Sequence, residues 1–172
     1  VRPEPFLLSS VQVLKGPSAM LYGNGAAGGI VNESSKLPDA MAPNIVEITA
    51  GTQNYFQSAI DYNGQLGEDV LYRLVALGRS ADGPIDFSSN DAVAIAPSLT
   101  WSPDAQTSVT VLASWQKNDT TPYIQFLSPY GTLNSAAPFA NGDFLPQDVF
   151  IGEPSFNYYD GERSAVSLFG DH

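Results

Sequence analysis

Side chains that could perform catalysis or bind a metal ion are scarce in this sequence. The only histidine, His172, is the last residue, and there is no cysteine. A Ser-His-Asp triad or a His-rich metal cluster therefore cannot be assembled around a central histidine, and no thiolate site can form. The acidic residues are scattered without a ligand-like spacing, which favours a solvated acidic surface. These features argue against an enzyme.

The one short motif with a known chemical use lies in residues 22–32, YGNGAAGGIVN. Gly23, Gly25 and Gly28 match the G-x-G-x-x-G spacing of dinucleotide-binding loops. That motif requires a strand running into the first glycine and a helix opening at the last. Here the glycines are followed by a β-branched and polar run that stops at Pro38, and no Gly-Lys-Ser/Thr sequence follows. Nucleotide binding is therefore not indicated, and the glycines need another explanation.

The charge balance limits the partners. Seven Lys and Arg residues face 18 Asp and Glu residues, which gives a net charge of −11. This charge repels phosphate groups, so we expect no nucleic-acid partner. A hydrophobic content of 43% is too high for a disordered chain. We expect neither a signal peptide nor a transmembrane helix, but barrel strands give a much weaker signal and are not excluded.

From residue 44 onward, apolar and polar residues alternate with a period of two. Such alternation predicts strands with one apolar face. The pattern is imperfect in 70–79, where Val75 and Leu77 share the face of Arg73 and Arg79. The predicted strands lie in 44–50, 55–64, 70–79, 92–101, 107–115 and 162–170.

The connections also follow a pattern, because short turns alternate with longer loops. The turns lie at 65–69 and 102–106, and the loops at 80–91 and 117–161. This is typical of an up-and-down barrel whose two ends differ. Five or six strands cannot close such a barrel, whose smallest natural examples have about eight. The sheet is therefore either buried against a second sheet in a soluble sandwich or part of something larger, and we favour the second interpretation.

Several motifs, in the right order, resemble one family. Residues 11–38, VQVLKGPSAMLYGNGAAGGIVNESSKLP, closely resemble the C-terminal part of the plug domain of TonB-dependent outer-membrane receptors. Leu37 stands where the family has the arginine of a Lys-Arg-Pro triplet. The later stretches resemble the opening barrel strands and loops of siderophore receptors, especially those for ferric hydroxamates: YRLVALGRS (72–80), AIAPSLTWSPD (94–104), YGT (130–132) and GEPSFNYYD (152–160).

The resemblance implies a mainly β fold. Residues 1–38 would be the C-terminal part of the plug domain, and residues 39–172 the first five to six antiparallel strands of a large transmembrane β-barrel, incomplete in this chain. The family barrel is of the 22-stranded class with a plugged lumen. The connector 117–161 would be extracellular, and the protein would lie in the outer membrane of a Gram-negative bacterium.

The function implied is import of ferric siderophores. The partners would be the ferric siderophore, a TonB-type energy transducer whose binding box is not in this chain, and outer-membrane lipid. No bond of the ligand would be broken, and no cofactor would be needed.

Glycines 23, 25, 28 and 29 would form a tight bend inside the plug. Within this picture, a sensing receptor with an additional regulatory domain is an alternative that this chain leaves open.

The resemblance also suggests ligand-binding residues. Tyr22 matches a plug position that can face the siderophore, and Tyr123 and Phe126 match an aromatic cluster of the binding vestibule. Aromatic walls suit a neutral or cationic hydroxamate chelate. Ile124 stands where hydroxamate receptors can have tyrosine. The alternative for all three residues is ordinary packing within the plug or the loop.

Other side chains receive structural roles. Arg73 and Arg79 are predicted to face the lumen and to pair with plug carboxylates. Tyr62, Trp101 and Trp115 would be aromatic girdle residues, or simply members of the apolar face. The competing hypothesis for the whole chain is a soluble, secreted β-sandwich that binds a ligand such as carbohydrate, which would require a second sheet over the apolar face.

Overall fold

The regular secondary structure of the described residues consists of antiparallel β-strands and one short 3-10 turn. The computed structural model describes residues 2–16, 28–122, 125–135 and 143–171. A short 3-10 turn at Pro5–Leu7 precedes the first strand. No helix in these described ranges is long and apolar enough to cross a membrane. The strands are β1 (Leu8–Lys15), β2 (Gly29–Ser35), β3 (Ile45–Ala50), β4 (Phe56–Leu66), β5 (Val70–Ser80), β6 (Ser89–Trp101), β7 (Ser108–Thr121) and β8 (Tyr159–Asp171).

The strands form two sheets. Strands β1 and β2 pair as an antiparallel hairpin, here called the plug hairpin. Strands β3 to β8 form one six-stranded sheet in which each strand pairs with the next along the chain. This meander confirms the predicted antiparallel architecture, and in this chain β3 and β8 are its two outer strands.

Tight turns close one end of the six-stranded sheet. Gly67 takes a φ of +68° in the turn between β4 and β5, a conformation that glycine adopts without steric cost. In the next turn at this end, the Asp104 carboxylate accepts hydrogen bonds from the backbone N–H groups of Gln106 and Thr107, at 2.8 and 2.7 Å. These two bonds, with that from Gln106 the larger effect, hold the pKa of Asp104 below its ordinary value.

The last two strands are longer than the sequence predicted. Strand β7 continues to Thr121 and β8 begins at Tyr159, so the connector expected at 117–161 spans 122–158. Polar residues 117–121 carry no apolar alternation, yet they pair with β6 on one side and β8 on the other. Backbone hydrogen bonding therefore extends these strands beyond their apolar part.

Pro97 lies inside β6, although proline within sheets usually occurs on edge strands or at bulges. Its Cα faces Leu74 of β5, and the β5–β6 register runs through it without a shift. On the β7 side the paired positions stop at Ile95–Trp115 and resume at Ser98–Leu112 in the same register. The interruption beside Pro97 agrees with the missing N–H of proline.

A soluble sandwich buries the apolar face of each sheet and exposes the polar face. In this six-stranded sheet the apolar face is the exposed one. Val93 in β6 is 52% exposed, whereas the next residue, Ala94, is 1% exposed. We call the exposed side the apolar face; it carries Val46, Ile48, Phe56, Ile60, Tyr62, Val93, Ile95, Leu99, Trp101, Val111, Val166 and Leu168. The other side, the inner face, buries Asp61, Asn63, Ser98 and Gln116 among small and apolar residues.

The N-terminal segment, residues 2–7, covers part of the inner face. Leu7 packs in one buried cluster with Val75 and Leu112, and Phe6 contacts both this cluster and a second one that contains Leu77. This packing explains why Val75 and Leu77 interrupt the alternation of β5. They are apolar on the inner face because the N-terminal segment places apolar side chains against them.

Gly29 starts β2 in a conformation that excludes other residues. Its φ is +128°, and a Cβ atom at this position would overlap the carbonyl oxygen of Leu14 on the paired strand. The neighbouring Gly28 has no atom within 4 Å of such a Cβ. A side chain is thus sterically excluded at Gly29 but not at Gly28. Gly23 and Gly25 lie outside the described residues.

Candidate functional site

The most developed polar site joins the N-terminal segment to the inner face. Both carboxylate oxygens of Glu4 accept hydrogen bonds from Arg79 on β5, from Nη1 at 3.0 Å and from Nη2 at 2.9 Å. The side chains are only 14% (Arg79) and 8% (Glu4) exposed. A bidentate, largely desolvated pair of this kind is among the stronger polar contacts in proteins.

Neighbouring amides surround this pair. Gln116 on β7 accepts a hydrogen bond from the backbone N–H of Glu4 at 3.0 Å and donates one to the carbonyl of Arg2 at 2.9 Å. Asn118 donates to a Glu4 carboxylate oxygen at 3.3 Å. We call Glu4, Arg79, Gln116 and Asn118 the Arg79 anchor. It holds the N-terminal segment through side chains of two strands, β5 and β7.

A second anchor holds the chain just after the plug hairpin. Arg73 on β5 binds both oxygens of Asp61 on β4, from Nε at 2.7 Å and Nη2 at 2.8 Å. Lys36 forms an ion pair with Asp61 at 2.8 Å, and Arg73 Nη1 donates to the carbonyl of Leu37 at 2.7 Å. We call Lys36, Leu37, Asp61 and Arg73 the Arg73 anchor.

The prediction that Arg73 and Arg79 both pair with plug carboxylates was confirmed for Arg79 and was wrong for Arg73. Arg79 pairs with Glu4, a carboxylate in the part assigned to the plug. Arg73 instead pairs with Asp61 of its own sheet and reaches that part only through the Leu37 carbonyl. The difference follows from register: Asn63 lies directly opposite Arg73, so Asp61 is its diagonal neighbour and is within reach of a long side chain.

The two anchors are connected to each other. The backbone N–H of Lys36 donates to the carbonyl of Leu7 at 3.0 Å. The ammonium group of Lys36 lies 4.1 Å from the centre of the Phe6 ring, a cation–π contact. The N-terminal segment and residues 36–37 therefore contact the inner face as neighbours, although the plug hairpin separates them along the chain.

An open cavity of about 620 Å³ lies beside the Arg79 anchor. Arg2, Glu4, Arg79 and Asn118 line it together with Glu33 of the plug hairpin. Pro3, Pro5, Leu8 and Val11 add apolar surface, so the walls are mixed, with the charged groups among apolar ones. Among the described residues, no group of three or more His, Cys, Asp or Glu side chains is placed to hold a metal ion.

The longer loops form a connected layer at the end of the sheet opposite the tight turns. Asp82 donates its N–H to the carbonyl of Gln53 at 2.9 Å, which joins loop 81–88 to loop 51–55. Asp86 donates its N–H to the carbonyl of Asp148 at 2.8 Å, and the Phe87 and Phe150 rings lie 6.0 Å apart, which joins loop 81–88 to the connector 122–158. We call these three segments the loop layer.

Of the predicted ligand-binding residues, the structure describes only Phe126. It lies in the loop layer and is 91% exposed. The adjacent Gln125 is held by hydrogen bonds with Val149 and Ile151, at 2.6 and 3.1 Å. Tyr22 and Tyr123 lie outside the described residues, so the proposed aromatic cluster stays a prediction.

The predicted girdle residues all lie on the apolar face. Tyr62 and Trp101 are exposed there, and the centres of the Tyr62 and Tyr72 rings lie 6.1 Å apart. Trp115 is half-buried and donates its indole N–H to Glu162 on β8 at 2.6 Å. Their role at a membrane interface stays a prediction.

Sequence reasoning missed Glu4, Lys36, Asp61, Gln116 and Asn118. One signal was available for Asp61: the tight turn after β4 fixes the register of β4 and β5 and thereby places this aspartate beside Arg73. No comparable local signal exists for the others, because Glu4 is 75 residues from Arg79 along the chain. Such contacts depend on the tertiary arrangement.

Comparison with known proteins gives relatives of one kind, although no family model matches the chain. The chain is 34% identical over 171 residues to a ferrichrome outer membrane transporter/phage receptor of Escherichia coli K12, covering 98% of this chain and 22% of that protein. It is 35% identical over 161 residues to a ferrioxamine receptor of Yersinia enterocolitica, covering 94% of this chain and 20% of that protein. The chain thus spans about a fifth of the length of these relatives.

A solved structure shares the fold. The closed form of the ferric-catecholate import receptor Fiu of Escherichia coli K12 superposes with a TM-score of 0.80 at 24% identity, covering 95% of this chain and 24% of that one. The fold and these relatives together define a class, the β-barrel receptors of the outer membrane with an internal plug. The chain belongs to the TonB-dependent siderophore receptors of Gram-negative bacteria and corresponds to one part of such a receptor.

Proposed function

We propose that this chain is the plug-to-barrel junction of a receptor that imports ferric siderophores across the outer membrane. The observation that carries the proposal is the arrangement of the six-stranded sheet. Its apolar face is exposed, and its inner face holds one charged anchor for the N-terminal segment and one for residues 36–37. A lipid-facing barrel wall around a plug requires this arrangement, and a soluble sandwich requires the reverse.

The chemistry of the junction suits a plug that must loosen. The Arg79 anchor and the Arg73 anchor consist of ion pairs and hydrogen bonds, and water can replace these when the partners separate. The N-terminal segment buries only Leu7 and part of Phe6 in apolar contacts. Displacing it uncovers these two side chains and the inner face around Val75, Leu77 and Leu112, while the strand pairing of the six-stranded sheet is unchanged. A pull by an inner-membrane TonB-type partner would therefore work against this one apolar contact and the anchors, without unfolding the barrel.

The ligand proposed is a ferric hydroxamate, transported intact and without a resident cofactor. Two relatives named for ferrichrome and ferrioxamine support this choice. The exposed Phe126 and the aromatic residues at 22 and 123 are the proposed contacts, since rigid aromatic surface suits a chelate with little negative charge. In this proposal the chain has no enzymatic role.

Iron uptake by cells tests the proposal. A Gram-negative strain that lacks its own hydroxamate receptors would carry the complete gene that contains this chain, and uptake of radioactive iron would be measured with ferrichrome and with ferrioxamine B. We expect uptake of at least one chelate, and its loss when the transducer gene is deleted. Absence of uptake with both chelates, while the receptor is present in the outer membrane, would contradict the ligand class. Uptake that survives deletion of the transducer would contradict the mechanism.

A further inference from the structure

Arg79 contacts more than the N-terminal segment. Besides Glu4, its guanidinium donates to the backbone carbonyl of Asn90 from Nε and to the side-chain carbonyl of Asn90 from Nη2, both at 3.3 Å. Asn90 is the second residue of β6 and lies where loop 81–88 rejoins the sheet. One guanidinium group is therefore shared between the N-terminal segment and the root of an outer loop.

The root of this loop is itself closed by hydrogen bonds. The N–H of Asn90 donates to the carbonyl of Ala81 at 2.8 Å, and the N–H of Ala81 donates to the Asp91 carboxylate at 3.1 Å. Ala81 is buried. A shift of Asn90 would therefore disturb both ends of loop 81–88. This loop is joined in turn to loop 51–55 and to the connector 122–158 by the bonds of Asp82 and Asp86.

Arg79 has room for a second position. Arg79 lines the open cavity of about 620 Å³, whose walls also carry the polar side chains of Glu33, Asn118 and Thr120. When Glu4 is in place, every nitrogen of the guanidinium has a partner. When the segment leaves, Arg79 loses the Glu4 carboxylate, and the cavity loses the wall formed by residues 2–5 and opens to water. The guanidinium can then hydrate by turning into this space. That movement would break the bonds to Asn90.

We propose that Arg79 is a positioning residue that makes the order of the loop layer depend on whether the N-terminal segment is seated. Seating of Glu4 fixes Arg79, Arg79 fixes Asn90, and Asn90 fixes the root of loop 81–88. Because coupling between two sites is reciprocal, whatever orders the loops also strengthens the seat of the segment. The coupling itself does not depend on transport, but its use in ligand capture rests on the proposed function.

Hydrogen–deuterium exchange of the complete receptor in detergent or nanodiscs tests this coupling. We expect Glu4→Gln and Arg79→Lys each to raise the exchange rates of amides in residues 81–90 about tenfold, the ratio that corresponds to about 1.4 kcal/mol. Lysine keeps the charge opposite Glu4 but lacks the planar fork that also reaches Asn90. The double variant should exchange no faster than the faster single variant, because both act through one contact.

Matched controls separate coupling from general loosening. Glu33→Gln changes a carboxylate of the plug hairpin that lines the same cavity but is not a hydrogen-bond partner of Arg79. Arg73→Lys makes the same substitution at the other anchor on the same strand. Both should leave exchange in 81–90 within about twofold of the parent protein. Unchanged exchange in Glu4→Gln would overturn the proposal, as would an equal rise in either control. If Arg79→Lys does not assemble, Glu4→Gln still decides. A receptor that fails in iron uptake yet shows the coupling would contradict only the transport proposal.

Discussion

At the scale of single residues, Asp61 has the largest predicted effect on stability. The residue is 1% exposed, and its carboxylate accepts hydrogen bonds from Arg73 and forms an ion pair with Lys36. Asp61→Asn would leave two largely buried cations without their carboxylate. We expect a loss of about 3–5 kcal/mol in the free energy of unfolding, because removing one partner of a buried pair leaves uncompensated charge. Denaturant unfolding of the complete receptor, followed by tryptophan fluorescence, measures this loss.

The matched control for Asp61 is Asp160. It pairs with Lys117 at 3.4 Å, and both side chains are about half exposed. Asp160→Asn should change the free energy of unfolding by less than about 1 kcal/mol, since solvent screens such pairs. If the two asparagine variants were equally stable, the buried ion pairs of the Arg73 anchor would not contribute to stability in the way described.

Gly29 offers a second residue-scale prediction. Gly29→Ala places a methyl group against the Leu14 carbonyl and forces alanine into a φ of +128°. We expect a cost of about 1–3 kcal/mol, confined to the plug hairpin. Gly28→Ala, where the space is open, should be nearly neutral. Limited proteolysis of the receptor should therefore cut the plug faster in the first variant only. Equal cleavage of both variants would show that the conformation of Gly29 is not required.

The arginines show what sequence could predict at this scale. The alternation of β5 placed both on the inner face, which is correct, and the charge of the partner was correct in both cases. The origin of the partner was wrong for Arg73, because a carboxylate from the adjacent strand lies closer than any in the N-terminal segment. Cross-strand neighbours depend on register, and register is visible in sequence only where a tight turn fixes it.

At the scale of elements, the alternating strands predict where charge is tolerated. Ile95 lies at the middle of β6 on the apolar face. Ile95→Lys should lower the free energy of unfolding from a bilayer by about 2–4 kcal/mol, the usual cost of lysine or arginine at the midplane of a lipid-facing strand. Denaturant titration of receptor folded into lipid vesicles measures this cost.

Leu66 provides the control for depth. It is exposed at the end of β4 beside the tight turn. Leu66→Lys should cost only about 0–1 kcal/mol, because a charged group near the interface remains hydrated. A cost at Leu66 as large as that at Ile95 would contradict a membrane boundary between them.

The ends of the strands were the least predictable elements. The apolar alternation identified all six strands of the sheet, but residues 117–121 and 159–161 were assigned to the connector. These residues are polar, and they belong to strands only because the neighbouring strands supply hydrogen-bond partners. A pattern based on burial cannot detect a strand that continues beyond the apolar part of the sheet.

At the scale of the whole molecule, the six-stranded sheet is one part of a closed β-barrel. In the part of the chain that the structure describes, strands β3 and β8 each lack a neighbour on one side, and the chain spans about a fifth of the length of its relatives. The apolar face and the two anchors nevertheless define inside and outside. That orientation was predictable from the sequence, because apolar alternation together with too few strands to close a barrel pointed to a larger assembly. The ligand site was not predictable to the same degree, since it depends on loops whose contacts have no sequence period.

The most direct test of this orientation is nitroxide labelling of β6 and β7 in the complete receptor. The chain contains no cysteine, so single cysteines in it can be labelled specifically once any elsewhere in the receptor are replaced. Labels at Val93 and Ile95 should collide readily with oxygen, which dissolves in lipid, and poorly with a water-soluble nickel chelate. A label at Thr120, which lines the cavity on the inner face, should show the opposite preference. Labels at 93 and 95 that are shielded from both reagents would instead indicate a second protein layer over the apolar face, and the barrel-wall account would fail.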